Sequence, residues 1–152
     1  MKWIDINGKS YNPENCYYLD TNVLAIVMLN KEDEIRRDVK KILDNAQNAF
    51  FITPIVLREF LSLYKAMNVK HKIYRTIDDI YDAIKAIKMI IVPYTEKAVK
   101  VESEMYFKEG HKCPFDYMIL SQSIADNIAL ISTDHDFDFY REQGLKLVFN
   151  KR

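Results

Sequence analysis

Five short runs rich in aromatic, β-branched and aliphatic residues recur along this sequence, at residues 16–19, 49–53, 89–92, 128–132 and 145–149. Between them, apolar residues return at three- and four-residue spacing, the period of a helix with one buried face. A chain that alternates strand and helix in this way carries each strand back to the same end of the sheet through a helical crossover. The expected result is an α/β protein whose central sheet is mainly parallel and covered on both faces. At 152 residues there is material for one such domain with a core of its own, and with three Gly and four Pro the chain is not loop-rich.

The helical segments follow from the same reading. Residues 23–29 form a short apolar helix and residues 33–46 an amphipathic one, with Ile35, Val39, Ile42, Leu43 and Ala46 on one side. Pro54 fits the first turn of a helix running to about residue 67. Residues 70–88 read as one further helix, with Ile73, Ile77, Ile80, Tyr81, Ile84 and Ile87 at helical spacing. This pair is longer than one crossover needs and is expected to project as an arm. Thr95 caps a helix to about residue 108, stopped by Gly110, and Pro114 opens another that covers residues 115–126. A short helix at 137–143 closes on Gly144. At the other end, Asn7-Gly8 between two short alternating segments is a hairpin signal, so residues 1–13 read as an extension and residues 14–152 as a single domain.

Lys plus Arg and Asp plus Glu balance at 22 each, so no overall field draws nucleic acid, and such binding would need a local patch or a metal. Cys16 and Cys113 are too few for a disulfide framework, and nothing has a zinc spacing. No apolar run is long enough for a membrane span and the N-terminus is polar, which makes the cytoplasm the expected compartment.

Acids stand at four informative places. Asp20 follows the first strand directly, ahead of Thr21 and Asn22. In an open α/β sheet ligands bind outside the carboxyl ends of the strands, so Asp20 is placed for chemistry. A strand-to-helix turn also favours Asp, Thr and Asn for capping alone, with Asn22 as a candidate cap. Glu59 lies at the edge of the apolar stripe made by Val56, Leu57, Phe60, Leu61, Leu63, Tyr64 and Met67, where it is either a partly desolvated carboxylate in need of a partner or a side chain reaching for water. Asp116 is in the first turn of a helix that is apolar nearly all round, where it also suits the helix dipole. Asp134 and Asp136 follow the fourth strand in one turn, so at least one of them is expected to be only a cap. Carboxylates gathered at one place do not stay ionised without a cation, and hard oxygen ligands without His or Cys select Mg²⁺ or Mn²⁺.

Taken together, Leu19-Asp20-Thr21-Asn22, the run from Thr53 to Phe60, Pro114-Phe115-Asp116-Tyr117-Met118-Ile119 and Ser132-Thr133-Asp134-His135-Asp136-Phe137 resemble the PIN domain, over residues 16–149. The size is similar to the compact VapC toxins of toxin–antitoxin pairs. The resemblance implies an RNase-H-like three-layer α/β/α sandwich and a Mg²⁺- or Mn²⁺-dependent endoribonuclease that leaves a 5′-phosphate and a 3′-hydroxyl. It implies an RNA substrate, an antitoxin partner and a homodimer. By position, Asp20, Glu59, Asp116 and Asp134 take the family's acidic places, with Asp20, Asp116 and Asp134 as metal ligands. Asn22, Ser132 and Asp136 are supporting or alternate residues. Lys65, Lys70, His71, Lys72 and Arg75 form the densest basic stretch, with Lys70, Lys72 and Arg75 as the expected RNA contacts, set against a merely solvated helix face; Lys97, Lys100, Lys108 and Lys112 form a second stretch. His111 and His135 read as ordinary loop residues, and Tyr17, Tyr18, Tyr64 and Tyr81 as core or dimer-face packing.

Three other readings compete. One is an RNA-processing nuclease of the same fold with no antitoxin. Another is a non-catalytic RNA-binding scaffold, against which the full set of acids argues. The third is a haloacid-dehalogenase-like phosphatase, which needs a second Asp two residues after Asp20, where Asn22 stands.

Overall fold

In the computed structural model, which describes residues 3–4, 8–68 and 72–151, the chain opens with two short strands, β1 (Trp3–Ile4) and β2 (Ser10–Tyr11). They pair antiparallel, with Trp3 opposite Tyr11. Asn7, half of the expected turn, lies outside the described residues, while Gly8 has φ +80°, a conformation that suits glycine.

The central sheet has five strands: β3 (Cys16–Leu19), β4 (Ala49–Ile52), β5 (Met89–Ile91), β6 (Ala129–Ser132) and β7 (Leu147–Phe149). They lie in the order β5-β4-β3-β6-β7, and every neighbouring pair is parallel. Successive residues of a strand face opposite sides of a sheet. Phe51 and Ile52, like Leu130 and Ile131, are nevertheless all at 0% exposure, so both faces are covered. This is the α/β sandwich expected from the alternation of runs. Tyr18 and Tyr64 are buried and Tyr17 and Tyr81 pack against the core, where core packing was expected of them. Cys16 and Cys113 are free thiols.

Among the described residues six α-helices join the strands: α1 (Thr21–Met28), α2 (Arg37–Asp44), α3 (Pro54–Ala66), α4 (Ile77–Ala86), α5 (Glu96–Glu104) and α6 (Pro114–Asp126). Among the described residues no helix is long and apolar enough to cross a membrane. Three helix expectations are corrected. The segment 33–46 is not one helix. A 3₁₀ turn (Glu32–Glu34) precedes α2, and Ile35 and Arg36 between them are extended. The buried Asn150 occupies the break: its Oδ1 accepts the Arg36 N–H at 2.8 Å and its Nδ2 donates to the Glu34 carbonyl at 2.9 Å. Of the segment 70–88, residues 70 and 71 lie outside the described residues, and the described part is helical only from Ile77, because Thr76 and Asp79 form a capping box there. Nor does α4 stand out as an arm, since Ile80 and Ile84 are fully buried in the core. Upstream of it, the Tyr64 hydroxyl accepts the Tyr74 N–H and donates to the Tyr74 carbonyl, both at 2.6 Å, which holds that backbone out of a helix. Finally, α5 ends at Glu104, and residues 105–113 run as a loop along a 3₁₀ segment (His135–Gln143) that is closed by Gly144 at φ +103°.

Candidate active site

The strand order decides where a site can form. The chain begins the sheet in the middle with β3, adds β4 and β5 on one side, and returns to add β6 and β7 on the other. Connections leaving β3 and β6 therefore diverge, and the crevice between their carboxyl ends is the switch point at which open α/β sheets bind ligands. Leu19 lies opposite Ile131, so the residues that follow, Asp20 and Ser132, meet at that crevice.

Asp20 is 7% exposed and has both oxygens engaged. Oδ1 accepts the Thr21 N–H at 2.8 Å, which makes Asp20, not Asn22, the N-cap of α1; Oδ2 accepts the Ser132 hydroxyl at 2.8 Å. The Asn22 amide instead donates to the Thr133 hydroxyl at 3.3 Å, joining the start of α1 to the turn after β6. Ser132 in turn accepts the Asp134 N–H at 3.0 Å, so its hydroxyl ties Asp20 to the turn that carries Asp134. Asp134 caps the 3₁₀ segment through Oδ1, which accepts the Asp136 N–H at 2.9 Å. Asp136 is committed elsewhere: Lys108 Nζ donates to its Oδ1 at 2.6 Å and holds its carboxyl below the usual range. That pairing leaves Asp134 the freer acid of this turn and also occupies one lysine of the second basic stretch.

Glu59 reaches the crevice from α3 and Asp116 from the first turn of α6. Burial pushes the Asp20 carboxyl up to about 6, with the charges of Asp116 and Glu59 adding to the rise and the hydrogen bonds from Ser132 and Thr21 opposing it. Glu59 is raised as well, first by burial and then by Asp116, with Thr21 and Arg58 opposing. Three of the four expected acids, Asp20, Glu59 and Asp116, thus feel one another. The buried Thr21 hydroxyl makes no hydrogen bond of ordinary length. Among the described residues no three His, Cys, Asp or Glu side chains are already drawn into a cage for an ion. The donor chemistry nonetheless fits one: hard oxygens at a switch point, with like charges that a divalent cation would relieve.

Two neighbours of the acids escape a reading of the sequence. His111, expected as an ordinary loop residue, has a side chain only 7% exposed, with its Nε2 2.9 Å from Asp116 Oδ2 and its Nδ1 2.6 Å from the Tyr140 hydroxyl. Its only sequence signal is a position five residues before Asp116, with Pro114 between. Arg58, assigned to the polar face of α3, sets its guanidinium 5.4 Å from the centre of the Phe115 ring, beside Asp116. His135 does remain at the surface, with a side chain 84% exposed.

Of the expected RNA contacts, Lys72 and Arg75 lie farther off. Lys70 is outside the described residues. Lys72 sets its ammonium 5.6 Å from the centre of the Tyr64 ring, and Arg75 is exposed. The segment that carries them is anchored by the Tyr74 hydroxyl, which donates to the Met28 carbonyl at 2.7 Å. Met28 ends α1 and Asp20 begins it; eight helical residues at about 1.5 Å each put roughly 12 Å between the two.

The sequence profile of the family described as "PIN domain" matches residues 17–142 of this chain. No curated protein sequence matches it. Among solved structures it is similar to VapBC2 from Rickettsia felis, bound to a DNA fragment from its promoter, at 18% identity over 88% of this chain and 98% of that one, with a TM-score of 0.64. Similar, too, is DNA-bound VapBC from Salmonella typhimurium, at 16% identity over 88% and 96% of the two chains and a TM-score of 0.62. VapBC-1 from nontypeable Haemophilus influenzae matches at 18% identity over 88% and 97%, with a TM-score of 0.60. At these identities the likeness is one of fold.

Proposed function

This chain belongs to the PIN domain family, and from that membership we propose that it is a divalent-metal-dependent endoribonuclease and the toxin of a toxin–antitoxin pair. The observation that carries the reading is the mutual electrostatic strain of Asp20, Glu59 and Asp116 at the switch point. Stability alone would not gather carboxylates there, because each raises the cost of ionising the next.

Asp20, Asp116 and Asp134 are the residues that would hold Mg²⁺ or Mn²⁺, and such an ion supplies polarisation of a phosphodiester and activation of water. The roles of the chain's own groups follow from their surroundings. Ser132 and the Thr21 amide fix the orientation of Asp20, and Asn22 with Thr133 closes the crevice beside it. Glu59, with its carboxyl raised, takes the proton of the attacking water. Water attacks phosphorus in line and the P–O3′ bond breaks; the departing 3′ oxygen takes a proton from solvent, which leaves a 5′-phosphate on one product and a 3′-hydroxyl on the other. Lys70, Lys72 and Arg75 contact the RNA backbone beyond the cleaved bond, a reach that several nucleotides of single strand span. The antitoxin partner is supported by neighbours of like fold that were solved as VapBC complexes, and a homodimer is the working assembly.

The test is cleavage of a panel of RNAs with Mg²⁺ or Mn²⁺, with and without EDTA, by wild type and Asp20→Asn. Cleavage should require the ion and fall below detection in the variant, and induced expression should arrest growth with wild type alone. Full cleavage by a folded Asp20→Asn protein would refute the assignment.

A further inference from the structure

The loop at 105–113 is fastened along the 3₁₀ segment His135–Gln143 by five hydrogen bonds. Gln143 grips the backbone of Tyr106 in both directions, each bond 2.8 Å long. Lys108 is held twice, by the Asp136 carboxylate at 2.6 Å and by its N–H donating to the Tyr140 hydroxyl at 3.1 Å. The fifth bond joins His111 to the Tyr140 hydroxyl. Within the loop, the His111 N–H donates to the Lys108 carbonyl at 2.9 Å and makes the turn. The Tyr117 hydroxyl donates to the His111 carbonyl as well. The outcome of this fastening is an inward His111 imidazole, 7% exposed, set edge-on to Tyr117 and Tyr140 and beside Phe137.

The order of the protons along this chain follows from its end. The Asp116 carboxylate can only accept, so the imidazole carries its proton on Nε2 and donates it to Asp116 Oδ2. Nδ1 is then an acceptor, and it takes the proton of the Tyr140 hydroxyl, whose oxygen accepts the Lys108 N–H. Every group is paired in this arrangement, and the line of donors ends on a carboxylate. Without it Asp116 would be poorly held, because the negative charges of Asp20 and Glu59 favour turning its carboxylate out to water. The Cys113 thiol also stands close to Asp116, but a thiol is a weak donor.

We propose that His111 is a positioning residue for Asp116: the buried imidazole, oriented by Tyr140, grips Oδ2 and leaves Oδ1 as the oxygen offered to a divalent ion. This rests on the metal-dependent reading above. Partners of this kind behind a metal ligand change ion affinity by about 10–100-fold when removed.

The measurement is Mn²⁺ affinity by titration calorimetry on folded, EDTA-stripped protein, which reads the site without any turnover. His111→Leu keeps an apolar side chain of similar size and removes the donor; it should bind Mn²⁺ about 10–100-fold more weakly than wild type. His111→Gln places an amide N–H near the position of Nε2 and should recover most of that loss. Tyr140→Phe, which keeps the ring and removes the proton that orients the imidazole, should weaken binding in the same direction as His111→Leu but less. A leucine variant that binds as tightly as wild type, or a glutamine variant that loses as much as leucine, overturns the proposal. If neither His111 variant folds, unchanged affinity in Tyr140→Phe overturns it. A wild type that binds no Mn²⁺ overturns the metal-dependent reading itself, and this inference with it.

Discussion

At Asp20 a carboxylate is buried beside two others and is still held by a hydroxyl and a backbone amide, so its geometry and its energy pull in opposite directions. Its carboxyl sits at about 6 in the folded, metal-free protein, against an ordinary value of 3.8. Between those two values the folded state binds more protons than the unfolded chain. The contribution to stability is therefore fully present below pH 4 and is lost as the pH rises through 6, a loss of about 3 kcal/mol in all. Asp20→Asn keeps a cap of equal quality and removes the charge. In EDTA at pH 8 the variant should melt higher than wild type, on the order of 5 °C, and the gap should close towards pH 4 in a series of thermal melts. A variant less stable than wild type at pH 8 would refute this account of the burial. The sequence offered capping and chemistry as rival roles for this residue; one oxygen caps and the cluster around the residue is what marks the site. Asp20, Glu59 and Asp116 were legible because each stands at a fixed place relative to a strand or a helix start. His111 was not, since its role depends on how a loop folds back, and no periodicity records that.

Among the elements, the break between the 3₁₀ turn Glu32–Glu34 and α2 shows where patterning stops being informative. Ile35, Val39, Ile42 and Leu43 all pack against the core as their spacing suggests, yet the backbone leaves the helix at Ile35. The cause is Asn150, more than a hundred residues away, whose side chain satisfies one N–H and one carbonyl at the break. Asn150→Ala should cost about 2 kcal/mol, from two buried hydrogen bonds at roughly 1 kcal/mol each, read as a lower urea midpoint. An unchanged midpoint would mean that the break is set locally. The start of α4, by contrast, was written in the sequence as Thr76-Ile77-Asp78-Asp79, a capping box that outweighs the continuing run of isoleucines. Ile73, counted in that run, is 51% exposed.

For the whole molecule, the alternation of strand and helix dictates a parallel sheet, while the order of the strands depends on which side of β3 the fourth run joins, and nothing local specifies that. The same order sets the acids at one edge and the stretch of Lys72 and Arg75 about a helix length away, so on the proposed reading an RNA would lie across the domain to meet both. With no net charge to draw it in, affinity should depend on that stretch. Lys72→Glu with Arg75→Glu should weaken binding of a non-cleaved RNA by about tenfold at low salt and flatten its salt dependence, measured by fluorescence anisotropy. Unchanged affinity would move the RNA path elsewhere. The pairing of β3 with β6 has one more consequence, in time rather than space. Asp20 and the Ser132 that orients it are 112 residues apart. At translation rates of about 5–20 residues per second, Ser132 is added roughly 6–22 s after Asp20. On the proposed reading, a nascent chain has no completed site, and cannot cut the RNA around it, until the fourth strand of the sheet has been made.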